Sequence, residues 1–169
     1  MTDTAFVAPP GRLPPCFAAG DAGLVLFDAA AESRWATPPS FPDARGGLVS
    51  TAADLLRFAG VLLAGGGRVL SPAAVTAMTT DRLTPEQRHG PSAEAFLGGF
   101  GWGYGVQVVT PEHDASVRRS RYGWGGGLGT LWYSWPDAGA AAVLLTQVLP
   151  PSTELIAAFV SGAESALDA

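Results

Sequence analysis

Arg121-Tyr122-Gly123-Trp124-Gly125-Gly126-Gly127-Leu128-Gly129-Thr130-Leu131-Trp132-Tyr133 decides how this 169-residue chain folds. Two aromatic segments flank a glycine run, the pattern of strand, tight turn and strand. Just upstream, Trp102, Tyr104, Val106 and Val108 alternate with Gly103, Gly105, Gln107 and Val109. That period of two predicts a strand over 102–109 with one bulky and one mostly small face. Further strands are expected near 117–124 and 128–135. Pro136-Asp137-Ala138-Gly139 is turn chemistry leading into a fourth at 140–148. After Pro150-Pro151-Ser152, Leu155, Ile156, Phe159, Val160, Ala163 and Leu167 share one face of a last helix.

Upstream of this meander the period is helical. Thr51 and Asp54 have cap spacing, Leu55, Leu56, Phe58, Ala59, Leu62 and Leu63 form a stripe, and Gly65-Gly66-Gly67 ends it. A shorter helix begins at Ser71-Pro72 and should bury Val75 and Met78. Residues 81–100 read as loop with a helical turn near Pro85, and residues 1–23 as extended chain before a strand at Leu24–Phe27. The fold class is α+β: helices, an antiparallel sheet meander, and a C-terminal helix covering one sheet face.

Composition narrows the function. Hydrophobic content of 47% excludes disorder, and a net charge of −5 with scattered arginines speaks against nucleic acid. No apolar run approaches the roughly 20 residues of a membrane span. Cys16 is the only cysteine, so neither an intrachain disulfide nor a cysteine metal cluster is available. No cofactor or metal is expected.

Three consecutive glycines leave a backbone that a ligand can approach, and an outward N–H can stabilise a developing oxyanion. The plain alternative is a hairpin in which glycine meets a demand for positive φ. Phosphate binding is excluded, because the spacing never completes Gly-x-Gly-x-x-Gly and the chain has no lysine for a Gly-Lys loop. His89 and His113, the two histidines, read as solvated loop residues and not as members of a triad or metal site. Asp54 reads as a helix cap, and Arg118, Arg119 and Arg121 as solvated strand charges.

Several segments in order resemble the serine β-lactamase-related family: Met1–Phe6, Gly46–Leu55, Leu70–Pro72 with Met78–Asp81, Gly101–Val106 and Tyr122–Gly126. This family includes class C β-lactamases, DD-peptidases and esterases. The resemblance covers nearly the whole chain but only the C-terminal portion of the family's single domain, 1–169 here. It therefore implies an incomplete β-lactamase/transpeptidase-like fold. The family's third motif is usually Lys-Thr-Gly or His-x-Gly. Trp124-Gly125-Gly126 stands in its place and is similar to the variant of esterase-like members. The resemblance then implies that Gly127 N–H is an oxyanion donor and that Trp124, Gly125 and Gly126 line the substrate pocket. Trp124 can neither carry charge nor relay a proton, which favours ester over β-lactam or peptide chemistry.

The family's Ser-x-x-Lys cannot occur in a chain without lysine, and Tyr104, Tyr122 and Tyr133 lack the following residues of its Tyr motif. The chain is thus expected to be a C-terminal fragment, inert alone, of a hydrolase acting on a small ester or amide. The rival expectation is a non-catalytic binding or assembly module. An in-frame Ser-x-x-Lys upstream of Met1 would separate the two. Without the remainder, an open strand edge should seek the missing N-terminal segment or another copy.

Overall fold

Thr51 fixes the start of the first long helix, where its hydroxyl accepts the Asp54 N–H at 3.2 Å. Gly65, Gly66 and Gly67, all with positive φ, end it. In the computed structural model, which describes residues 1–169, the chain order begins β1 (Cys16–Gly20), β2 (Gly23–Asp28), α1 (Ala52–Leu63), α2 (Pro72–Thr79) and α3 (Pro91–Leu97). It continues with β3 (Gly101–Trp102), β4 (Gln107–Val109), β5 (Arg121–Gly125), β6 (Thr130–Trp135), β7 (Ala140–Leu145), β8 (Val148–Leu149) and α4 (Thr153–Leu167). The architecture is α+β, as expected. Two compact units emerge: Met1–Arg57, Gly125–Leu131 and Val143–Gly162 form the first, and Phe58–Trp124, Trp132–Ala142 and Ala163–Ala169 the second.

In the first unit, β1 pairs antiparallel with β2 and parallel with β8, giving the order β2-β1-β8. Strand β1 lies in the stretch expected to be merely extended. β2 is an edge, and its Leu24, Val25 and Leu26 each expose more than half their surface. An apolar edge of this kind is a template for further pairing. The N-terminal residues are tied in by a bridge between Ala5 and Val49 and by Asp54. Asp54 was expected to cap α1, but Thr51 does that. The fully buried Asp54 carboxylate instead accepts the Asp3 N–H (2.8 Å), the Thr4 hydroxyl (2.9 Å) and the Arg57 guanidinium (2.6 Å). Burial pushes its pKa up, and these three donors outweigh that and hold it below the usual carboxylate range.

A five-stranded sheet, ordered β3-β4-β5-β6-β7, organises the second unit. The single strand expected over 102–109 is two. Gly103 N–H bonds Val106 O at 2.9 Å, Gly105 has φ +93, and β3 turns back antiparallel onto β4. The chain passes so close to α2 that a Cβ on Gly103 would overlap the Met78 carbonyl oxygen. The alternation of 102–109 was therefore set by a turn, not by one pleat. Helix α3, within the expected loop, is closed by Gly98 in the left-handed region. Val106, Val108, Val109, Tyr122, Trp132, Tyr133 and Trp135 are buried and make the core.

On α4 the expected apolar face is only half covered, and Leu155 is exposed. The most buried residue of that helix is Glu164, which accepts Trp135 Nε1 at 3.3 Å and meets Arg121 at 3.5 Å. Arg121 also lies over the Tyr133 ring at 5.4 Å. It is a half-buried anchor, not a solvated charge. Arg118 and Arg119 each bond Asp168 at 2.7 Å.

Candidate functional site

The glycine turn lies at the tip of the β5–β6 hairpin, and its geometry separates the glycines by need. Gly126 N–H bonds Thr130 O at 2.9 Å and Gly129 N–H bonds Gly126 O at 3.1 Å, closing the tip. Thr146 pins it by donating its hydroxyl to Gly129 O at 2.7 Å. Gly129 has φ +83, and a Cβ there would overlap Thr146 Oγ1 and Val148 O. The turn thus demands glycine at 129. None of Gly125, Gly126 and Gly127 has positive φ, although a Cβ on Gly125 would press on the Leu131 side chain at 3.2 Å. A Cβ on Gly127 would meet nothing within 4 Å, and one on Gly126 would make only ordinary contact with Thr130 at 3.7 Å. Gly127 is exposed, and its N–H is not among the donors that close the tip.

Trp124, the neighbour of these glycines on β5, is half-buried. Its ring meets Trp102 edge-on at 4.7 Å between centroids and Phe96 at 5.2 Å, and Phe96 lies 5.1 Å from Trp102. Elements β3, β5 and α3 therefore each supply one ring. The partners of the Trp124 ring, Phe96 and Trp102, are not visible from the local sequence, since two further elements bring them in.

A polar network lies at the start of β3, built from residues distant in the chain. Asp81 accepts the Trp102 N–H at 3.2 Å, the Leu83 N–H at 3.1 Å and the Arg88 guanidinium. His113 Nε2 reaches the same carboxylate at 2.9 Å, while its Nδ1 accepts the Thr110 N–H at 3.3 Å. With Nδ1 an acceptor, Nε2 carries the proton and donates it to Asp81. His113 is therefore not the solvated loop residue expected. Both its nitrogens are engaged, so it is no free base either. His89 is exposed, as expected.

Burial pushes the Asp81 carboxyl up, but Arg88, the Leu83 N–H, His113 and the Trp102 N–H outweigh it, lowering it from 3.8 to about 2. The folded value lies below the unfolded one. The network's contribution is hence complete above about pH 4 and is lost as the pH falls through about 2. Near-ultraviolet circular dichroism should report loss of the tryptophan environment across this window. Asp81→Asn should be less stable at neutral pH and show a shallower acid dependence. An unchanged acid profile in that variant would show that the network does not hold β3.

A family model described as Beta-lactamase matches residues 1–166. The chain belongs to the beta-lactamase family. Protein Rv1367c of Mycobacterium tuberculosis is 42% identical over 139 residues, covering 75% of this chain and 34% of that relative. The chain thus spans about a third of the length of the curated relatives it matches. Among solved structures, EstCE1, a hydrolase with promiscuous acyltransferase activity, superposes with a TM-score of 0.69 at 22% identity. That match covers 90% of this chain and 44% of EstCE1. The LovD6 mutant of simvastatin synthase from Aspergillus terreus gives 0.72 at 19% identity, over 98% and 46%. A D-stereospecific amidohydrolase from Streptomyces sp. gives 0.61 at 22% identity, over 95% and 44%. At these identities the likeness establishes a shared fold, of which this beta-lactamase-family chain has less than half. No helix is long and apolar enough to cross a membrane.

Proposed function

We propose that this chain supplies the oxyanion and substrate-lining strand of a serine hydrolase of the esterase-like kind. One observation carries the reading: Gly125, Gly126 and Gly127 have none of the backbone conformations that require glycine, whereas Gly129 in the same turn does. A turn alone therefore does not account for Gly126 and Gly127, while an uncovered backbone open to a ligand does.

In this reading Gly127 N–H holds the oxygen of the carbonyl under attack, and Trp124, Gly125 and Gly126 line the acyl or alcohol pocket. A serine hydroxyl and a lysine amine come from a segment outside these 169 residues, since the chain contains no lysine. The serine oxygen forms the new bond to the carbonyl carbon, its proton passes to the amine, and the alcohol leaves with that proton. Water then releases the acid from the acyl-enzyme. Coverage of only 34% of the M. tuberculosis relative agrees with this division of labour.

The chain alone should hydrolyse p-nitrophenyl acetate and nitrocefin no faster than an inactive control protein. Turnover clearly above that control would refute the proposal. Joined behind the Ser-x-x-Lys- and Tyr-bearing segment of a family member, it should gain esterase turnover. The second reading, a non-catalytic binding or assembly module, draws on the exposed β2 edge. A folded fusion without turnover would select it.

A further inference from the structure

We infer that Phe96, Trp102 and Trp124 form a binding face for the neutral, ring-bearing part of an ester substrate; this rests on the placement of Trp124 in the substrate pocket. The second unit holds one buried aromatic cluster and one open one. Tyr122, Trp132, Tyr133 and Trp135 are at most 7% exposed and fill the core. The other cluster is open, with Phe96 at 55% exposure and Trp102 and Trp124 half-buried. A phenyl ring held that open on two indoles leaves apolar surface that an incoming ring can take from water.

The ring geometry favours another ring over an alkyl chain. Interplanar angles of 80°, 51° and 39° leave faces and edges pointing in different directions. An added aromatic group can then pack tilted or edge-to-face, the arrangement that gains beyond area burial alone. The three rings carry no charge of their own. Neutral ligands are favoured accordingly.

Position and anchoring complete the argument. Trp124 and Gly127 are three residues apart, so their Cα atoms lie within about 11 Å. Phe96 rides on the seven-residue α3, whose one buried side chain is Leu97 and whose flanks, Gly90, Gly98 and Gly99, all have positive φ. A helix held by so little can adjust the ring to its ligand.

The test uses the chain alone, with 2-naphthyl acetate and ethyl acetate as probes and saturation-transfer NMR and calorimetry as readouts. Naphthyl acetate should bind roughly tenfold more tightly than ethyl acetate. Phe96→Ala should weaken naphthyl acetate about fivefold. Phe96→Tyr, which keeps a ring, should retain binding. Should Phe96→Ala lose the fold, Phe96→Leu is read in its place. Equal affinity for the two esters, or unchanged naphthyl affinity in the ring-less variant, overturns the inference. The outcome separates from that of the hydrolase reading. Naphthyl preference in a chain whose fusion turns over no ester would leave the binding face standing and remove the hydrolase. Turnover without naphthyl preference would do the reverse.

Discussion

Gly123→Ala is expected to abolish the cooperative unfolding transition of the second unit. Gly123 lies on β5 where the backbone of β6 comes closest. A Cβ built there would overlap the Trp132 carbonyl oxygen and come to 2.9 Å from Tyr133 Cα. Backbone atoms cannot swing aside as a side-chain end can, so β5 and β6 would have to separate. Trp132, Tyr133 and Trp135, all buried, hang on that pairing. The cost should exceed about 3 kcal/mol, above the usual range for overpacking because the obstacle is main chain. Urea unfolding followed by tryptophan fluorescence checks it. A midpoint near that of the parent would mean that the strands part without penalty. Gly127→Ala is the matched control. Its Cβ would meet nothing within 4 Å, so stability should stay within about 0.5 kcal/mol.

The second large effect is catalytic and belongs to the fusion that restores the nucleophile. Gly127→Pro deletes the N–H assigned to the oxyanion and leaves the rest of the pocket in place. Loss of one such donor costs about 100- to 1,000-fold in kcat. KM should move little, because the bond strengthens only as negative charge develops. Gly127→Ala, which keeps the N–H, should retain most of the activity. Equal kcat in the proline variant and the parent, with folding confirmed by circular dichroism, would remove Gly127 from the mechanism. A KM rise of the same size as the kcat loss would recast it as a ground-state contact.

Those parts of the fold with strong local signals were legible in the sequence. Helices α1 and α2 carry cap residues at the right spacing, and β6 and β7 lie between turn residues that set their ends. Non-local or glycine-dependent features were not legible. The Gly103-Tyr104-Gly105 turn kept an alternating pattern through a reversal of direction, so pattern alone read β3 and β4 as one strand. Helix α3 has glycine at both flanks and only one buried residue, too little periodicity to register. Asp81 and His113 are 32 residues apart, and nothing in either local segment announces the other. Asp54 was misassigned for a related reason: its partners Asp3 and Thr4 lie 51 and 50 residues upstream. At the candidate site, Trp124 and the glycine triplet were visible because they are contiguous. The aromatic partners of Trp124 were not, since two further elements bring them in.

The hold of Asp54 on the first residues limits where this polypeptide can be spliced. Any engineered junction placed after Thr4 would remove both upstream donors and leave Arg57 as the remaining side-chain partner of a carboxylate sealed from water. A linker entering before Asp3 keeps those donors. Swapped or shuffled hydrolases assembled from this piece should therefore be cut ahead of that residue.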